Sequence, residues 1–171
     1  MTAHVKHNSG NNEWYTPPNI IEAAREVFGG TIHLDPASSP VANQTVGAGV
    51  FFTKEDDGLT RDWRFYGNIW LNPPYSRDLF PAFVKKVVDE VKGKARMLVL
   101  VNNGTETLAG QMLLGACDAV CFLHKRVRYL DETGKPKYTP LQGQMVLSYN
   151  NDTERFASVF GKIGVVLWTQ M

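Results

Sequence analysis

The chain has 171 residues, 43% hydrophobic and 20% charged, with a formal net charge of +1. That length supports one domain with a sizeable core, and no apolar run reaches the ~18–20 residues a membrane span needs. The mild charge excludes a protein that coats polyanions by bulk electrostatics alone, but it is uneven. Residues 1–85 carry seven basic and nine acidic side chains, residues 86–171 eleven and eight. A polyanionic partner is therefore expected against the second half.

Residues 1–12 are polar, without the apolar segment of a secretion signal, and are expected to be mobile on a cytoplasmic protein. Residues 13–171 read as a single domain. The two cysteines, Cys117 and Cys121, have no second pair with which to build a zinc site. His124 stands three residues beyond Cys121 without a further ligand. The thiols are expected to pack as small apolar groups, and no metal is expected.

In chain order, the first element starts at Thr16-Pro17-Pro18, with Thr16 as N-cap and proline at the first helical position. Ile20, Ile21, Ala24, Val27 and Phe28 recur at helical spacing up to Gly29-Gly30. A strand over Thr31 to Leu34 runs into Asp35-Pro36. Residues 36–67 read as irregular, anchored by Phe51-Phe52 and closed by an acidic turn around Asp56-Asp57-Gly58-Leu59.

A strand over Asn68 to Leu71 follows, then Asn72-Pro73-Pro74-Tyr75. Ser76 or Asp78 caps an amphipathic helix whose stripe is Leu79, Phe80, Phe83, Val84, Val87, Val88 and Val91, closed by Gly93. Met97 to Val101 is nearly continuous apolar sequence, the mark of a strand covered on both faces. A helix around Glu106 to Leu114 and strands near Ala119 to Leu123, Gln144 to Tyr149 and Ile163 to Trp168 complete the pattern. Strands alternating with helices predict an α/β fold with a mostly parallel sheet and helices on both faces. In such sheets ligands bind beyond the carboxyl ends of the strands, where Asp35, Asn72 and Asn102-Asn103 fall.

Asn72-Pro73-Pro74-Tyr75 is the most informative segment. Neither proline can donate to a ladder, so the chain must leave the sheet in a rigid, extended form. That form offers an amide oxygen, the Pro73 carbonyl and an aromatic face. Two acceptors suit an exocyclic amine with two hydrogens to donate, and the ring suits the flat group carrying it. The plainer alternative is a turn with a tyrosine that caps the core.

Trp14-Tyr15-Thr16-Pro17, Leu34-Asp35-Pro36-Ala37, Asp57-Gly58-Leu59 and Trp70 through Ser76 occur in an order that resembles the phage-type Dam family of DNA N6-adenine methyltransferases. The resemblance covers roughly residues 13–130. It implies a class I, Rossmann-like methyltransferase fold, S-adenosylmethionine as methyl donor, double-stranded DNA as substrate and the cytoplasm of a bacterial host as workplace. It implies that Thr16 and its neighbours Trp14, Tyr15 and Pro17 hold the donor's amino-acid tail. Thr16 equally fits a plain N-cap, and Trp14 with Tyr15 a hydrophobic staple.

Asp35, with Pro36, matches the family's acidic position near the donor's amino group and sulfonium; its alternative is a turn aspartate. Asp57, with Leu59, resembles the acceptor for the donor adenine's amino group, and Asp56 is an open neighbour. One departure from most methyltransferases is the absence of a glycine-rich turn after the first strand, where Asp35-Pro36-Ala37-Ser38-Ser39 stands. Asn72, Pro73, Pro74 and Tyr75 carry catalysis in this reading, without a metal or covalent intermediate.

A basic, aromatic loop near residues 124–140 is the expected nucleic-acid surface, through Lys125, Arg126, Arg128, Tyr129, Lys135, Lys137 and Tyr138; a solvated hairpin is its alternative. The tetrapeptide also occurs in enzymes that methylate protein glutamine or RNA, and a silent nucleic-acid-binding module is a further reading. The sequence leaves the oligomeric state open.

Overall fold

A computed structural model describes residues 14–137 and 140–168, so the expectations for residues 1–12 and for Tyr138 lie outside the described residues. Helix α1 (Pro18–Phe28) buries Ile20, Ile21, Ala24, Val27 and Phe28, the stripe the spacing predicts. Its start differs from the expectation. The N-cap is Pro17, without a side-chain capping bond, and not Thr16. Pro18 forces the residue before it out of helical space, and Pro17 accordingly has ψ 154°. The helix cannot begin earlier, which leaves Thr16 for another role. Gly29, at φ 87°, closes it.

Strand β1 (Leu34–Asp35) is followed by helix α2 (Pro40–Val46) and strand β2 (Val50–Phe51). Both lie in the stretch read as irregular. They are too short to show a hydrophobic period, but the Ser39 hydroxyl caps α2 by accepting from Ala42 N–H at 3.1 Å. Strand β3 (Asn68–Leu71) leads to helix α3 (Leu79–Lys92). Asp78 occupies the N-cap position, yet Ser76 supplies the hydroxyl that accepts Leu79 N–H at 3.2 Å.

Strand β4 (Arg96–Asn102), helix α4 (Leu108–Ala116), strands β5 (Ala119–Leu123) and β6 (Gln144–Tyr149), helix α5 (Thr153–Phe160) and strand β7 (Gly164–Trp168) follow. Helix α5 is absent from the sequence reading. Its signal is Asp152, which caps it through Arg155 N–H, ahead of Phe156, Val159 and Phe160.

The seven strands form one sheet in the order β2-β1-β3-β4-β6-β5-β7. Strands β2, β1, β3 and β4 are parallel neighbours. The sheet is nevertheless mixed rather than mostly parallel, because β6 runs antiparallel to β4 and β5, and β7 antiparallel to β5. The reason is the connection over residues 124–143, whose described residues form no helix to carry the chain back across the sheet. Helices do cover both faces. Trp70, Leu98, Leu100 and Val146 pack with α1 and α5, while Met97, Val99, Val101 and Leu147 pack with α3 and α4. Cys121 is buried in the first layer, and Cys117 is half-buried beside the second.

Candidate active site and nucleic-acid surface

From β1 the chain moves to β2 on one side, then to β3 on the other. The carboxyl ends of β1 and β3 thus flank a topological switch point, where open α/β sheets leave a crevice. A cavity of about 360 Å³ lies there. Asp35 enters it from β1 and Asn72 from the end of β3; Asn102 and Asn103 are not among its lining residues. Pro73, Pro74 and Tyr75 line it beside Asn72, as do Trp14, Tyr15 and Thr16 and, from the first loops, Pro36, Asp57 and Leu59. Pro17 stands behind as the helix cap.

Asn72 has an unusual environment. Its Nδ2 donates to the Trp14 carbonyl at 2.7 Å. Only an N–H can face a carbonyl, so this bond fixes which way round the amide lies. The Oδ1 is then buried without a hydrogen-bond partner. An orphaned buried acceptor costs stability, roughly 1–3 kcal/mol, unless water or a ligand pairs with it. Tyr75 is held twice. Its hydroxyl accepts Asn102 N–H at 2.7 Å, and its ring stacks on Phe80 with centroids 5.0 Å apart. Burial pushes its phenol well above the ordinary range, so it stays neutral.

Asp35 is 3% exposed, and burial pushes its carboxyl up to about 7. The Ser38 hydroxyl and the Ala37 amide pull the other way. Ala37 N–H donates at 3.2 Å, whereas the Ser38 oxygen is itself buried and closes no full hydrogen bond. Desolvation wins because the two opposing groups, Ser38 and Ala37, are neutral donors.

The two neighbouring aspartates separate cleanly. Asp56 turns inward on its own loop, accepting from Thr53 N–H and Thr53 hydroxyl at 2.9 Å each. Asp57, at φ 50°, faces the cavity. Gly58 makes this possible, since a Cβ there would lie 2.0 Å from the Pro36 carbonyl oxygen. The acidic turn can press against β1 only without a side chain.

Ser38, Thr53, Lys54 and Trp70 also line the cavity, and sequence reasoning did not single them out. Trp70 Nε1 is buried without an acceptor. Nothing in a run of apolar strand residues signals this; only the sheet's alternation tells which face the indole takes.

The basic loop is a small hairpin rooted beside this site. Leu130 pairs with Pro136, and Asp131 accepts Thr133 N–H at 2.8 Å and Lys135 N–H at 3.0 Å to pin the tip. Lys125, Arg126, Arg128 and Lys135 are exposed. Lys137 differs, lying half-buried with its ammonium 4.8 Å from the Trp14 ring centroid. Tyr129 is not a surface aromatic; it is buried edge-on to Trp14, with centroids 5.5 Å apart. The alternation of exposed Arg126 and Arg128 with buried Val127 and Tyr129 explains this, because an extended segment against a core points every second residue inward. Tyr15 and Leu130 exchange both backbone hydrogen bonds, at 3.2 and 2.8 Å, which ties the hairpin to the Trp14 wall.

Among the described residues no cluster of His, Cys, Asp or Glu is placed to hold a metal ion, and no helix is long and apolar enough to cross a membrane.

Fold and site together define an α/β protein with a buried carboxylate and an orphaned amide acceptor at the switch point of its sheet. The chain belongs to the DNA N-6-adenine-methyltransferase (Dam) family, whose pattern it matches over residues 3–163. It is 34% identical over 94 residues to a DNA N-6-adenine-methyltransferase of Escherichia phage T1, covering 54% of this chain and 37% of that one. It is 25% identical over 152 residues to a DNA N-6-adenine-methyltransferase of Haemophilus phage HP1, covering 87% of this chain and 84% of that one. The match thus spans little more than a third of the T1 protein but most of the HP1 protein.

Proposed function

We propose that the protein transfers a methyl group from S-adenosylmethionine to the N6 amine of adenine in double-stranded DNA, on a class I, Rossmann-like methyltransferase fold. Family membership supports the reaction class. The observation that carries the mechanism is the orphaned Asn72 Oδ1, oriented by the Trp14 carbonyl at the carboxyl end of β3.

The cavity residues fit the donor. Asp35 is a buried carboxylate that lacks a cation, and a sulfonium with its nearby ammonium would supply that charge. Asp57, which also lines the cavity, suits the donor's adenine amine, and Trp14, Tyr15 and Thr16 its amino-acid tail. When bound, S-adenosylmethionine supplies an electrophilic methyl group on sulfur.

The rest falls to this chain's own side chains. The lone pair of adenine N6 is delocalised into the ring and is a poor nucleophile. Asn72 Oδ1 and the Pro73 carbonyl each accept one N6 hydrogen, which lets the nitrogen pyramidalise and stabilises the positive charge that develops there as the N–C bond forms and the methyl–sulfur bond breaks. One N6 proton is then lost to solvent, leaving neutral N6-methyladenine. Tyr75 stacks on the adenine, worth about 1–3 kcal/mol. The base must leave the duplex to reach this wall. Lys125, Arg126, Arg128 and Lys135 hold the flanking phosphates. Such an enzyme would work on DNA in the cytoplasm of a bacterial host.

The test is transfer of labelled methyl to unmethylated DNA, followed by digestion to nucleosides and mass analysis. N6-methyladenine is the expected product. Label appearing in RNA or protein glutamine instead, with none in DNA, overturns the reading, and a chain that binds no donor is a silent module.

A further inference from the structure

Gln144 opens β6 as the one long polar side chain in an apolar strand, and it is 1% exposed. Every hydrogen-bonding direction its amide needs is used. Oε1 accepts Val127 N–H at 2.8 Å. Nε2 donates to Asn102 Oδ1 at 3.2 Å and to the Gln142 carbonyl at 2.7 Å. Asn102 N–H in turn donates to the Tyr75 hydroxyl at 2.7 Å. One buried amide therefore joins the root of the basic hairpin, the end of β4 and the aromatic residue of the tetrapeptide. Glutamate would lack both donors and methionine all three functions, so this network selects glutamine specifically. Buried polar networks satisfied on every side hold their members in one geometry.

That geometry matters for Tyr75. Phe80 covers one face of its ring, and the cavity is lined by what remains. Without its hydroxyl bond, the ring keeps its stacking partner but loses the contact that fixes its tilt. Gln144 does not itself line the cavity.

We propose that Gln144 is a positioning residue for methyl transfer, acting through Asn102 to hold Tyr75 in register with the root of the DNA-binding hairpin. The inference rests on the reading of Tyr75 as the stacking partner of the target adenine. Its consequence is that a change in Gln144 alters the chemical step and leaves donor binding alone.

The experiment is a double-mutant cycle on steady-state methylation of duplex DNA, with wild type, Gln144→Met, Tyr75→Phe and the double variant. Wild-type formation of N6-methyladenine establishes the proposed reaction independently of any role for Tyr75; its absence sinks that reaction and this inference with it. Given activity, Gln144→Met is expected to lower kcat roughly tenfold with KM for the donor unchanged. In the Tyr75→Phe background, where the hydroxyl link is already gone, the same change should cost less than about twofold. Effects that multiply, or a donor KM that rises as much as kcat falls, mean Gln144 is only structural and overturn the proposal. Should Gln144→Met fail to fold, Asn102→Ala removes the same side-chain link from the more exposed partner. It is read by the same cycle, with the same two outcomes.

Discussion

The cavity wall and the basic hairpin sit side by side, yet they are built on opposite principles. The wall is made of strand ends and holds polar atoms that are buried and unsatisfied: Asn72 Oδ1, Trp70 Nε1 and the Ser38 hydroxyl, with the desolvated Asp35 among them. The hairpin holds exposed cations on a turn pinned by Asp131, whose Oδ1 accepts from two backbone N–H groups and the Thr133 hydroxyl. Unsatisfied groups cost free energy that a matching ligand would recover, which on the proposed reading gives the wall its chemical selectivity. Solvated cations gain little from any one partner and act through their number and the ionic strength. On the proposed reading, substrate chemistry and substrate adhesion fall to separate regions. The two are joined at Trp14, which touches Asn72 with its carbonyl and Tyr129 and Lys137 with its ring.

If the wall carries the chemistry, the largest effect belongs to Asn72. Asn72→Ala should lower kcat by about 10²–10³, the usual cost of losing a preorganised group at the site of developing charge, while donor affinity stays within a few-fold. Calorimetric donor titration beside a methylation assay checks both. Full activity in this variant breaks the comparison outright. Gly58→Ala comes next. A Cβ 2.0 Å from the Pro36 carbonyl oxygen cannot be accommodated without moving the Asp57 turn off β1. Donor binding should weaken at least tenfold, with loss of thermal stability on the order of 1–3 kcal/mol. An unchanged donor Kd would remove Asp57 from the site.

The wall was far more legible in the sequence than the hairpin, for a physical reason. Asn72-Pro73-Pro74-Tyr75 and Asp35 express local rules: proline ends a strand, and an apolar run precedes it. Those rules act within a few residues and so are written in order along the chain. The sheet's mixed character depended on whether residues 124–143 would include a crossover helix, and a basic, irregular stretch gave no period from which to judge. Pro17 displaced Thr16 as N-cap because the second proline acts on the residue before it, a local rule that the capping preference of threonine masked. Tyr129 read as a surface aromatic because its neighbours are charged, whereas alternation in an extended segment turned it inward. Gln144 was invisible for a deeper reason, since each of its partners except Gln142 is distant in sequence.

Asp35 offers a way to sharpen the assignment of the wall by pH. Its folded carboxyl lies near 7, well above the ordinary value of 3.8. The folded protein therefore binds an extra proton between roughly pH 4 and 7, and this group's contribution to stability falls as pH rises through that window. A cationic donor prefers the ionised form, so donor affinity should rise with pH up to about 7 and level off above it, with uptake of donor releasing a proton to the buffer. Asp35→Asn should weaken donor binding roughly tenfold at pH 8 and flatten the profile. It should also make the free protein more stable at that pH. Affinity independent of pH in the wild type would move the cation elsewhere.

The smallest effects belong to the hairpin, and their form matters more than their size. Arg128→Glu and Lys135→Glu leave the wall untouched, because both side chains are exposed and neither lines the cavity. Each lost phosphate contact should reduce the slope of log K against log salt by about 0.9. Together they should weaken duplex binding several-fold at low salt and progressively less as salt is raised. With saturating DNA, kcat should remain within about twofold of wild type, because the charge pairs steer and hold the duplex without touching the reacting nitrogen. Lys137→Glu should behave differently from these two. Its ammonium lies over Trp14, the residue whose carbonyl orients Asn72, so reversing its charge reaches the wall. A fall in kcat for Lys137→Glu, beside an unchanged kcat for Lys135→Glu, places the boundary between adhesion and chemistry within two residues of one hairpin strand. Equal behaviour of the two lysines would show that the hairpin is a single electrostatic surface and that Trp14 is held without it.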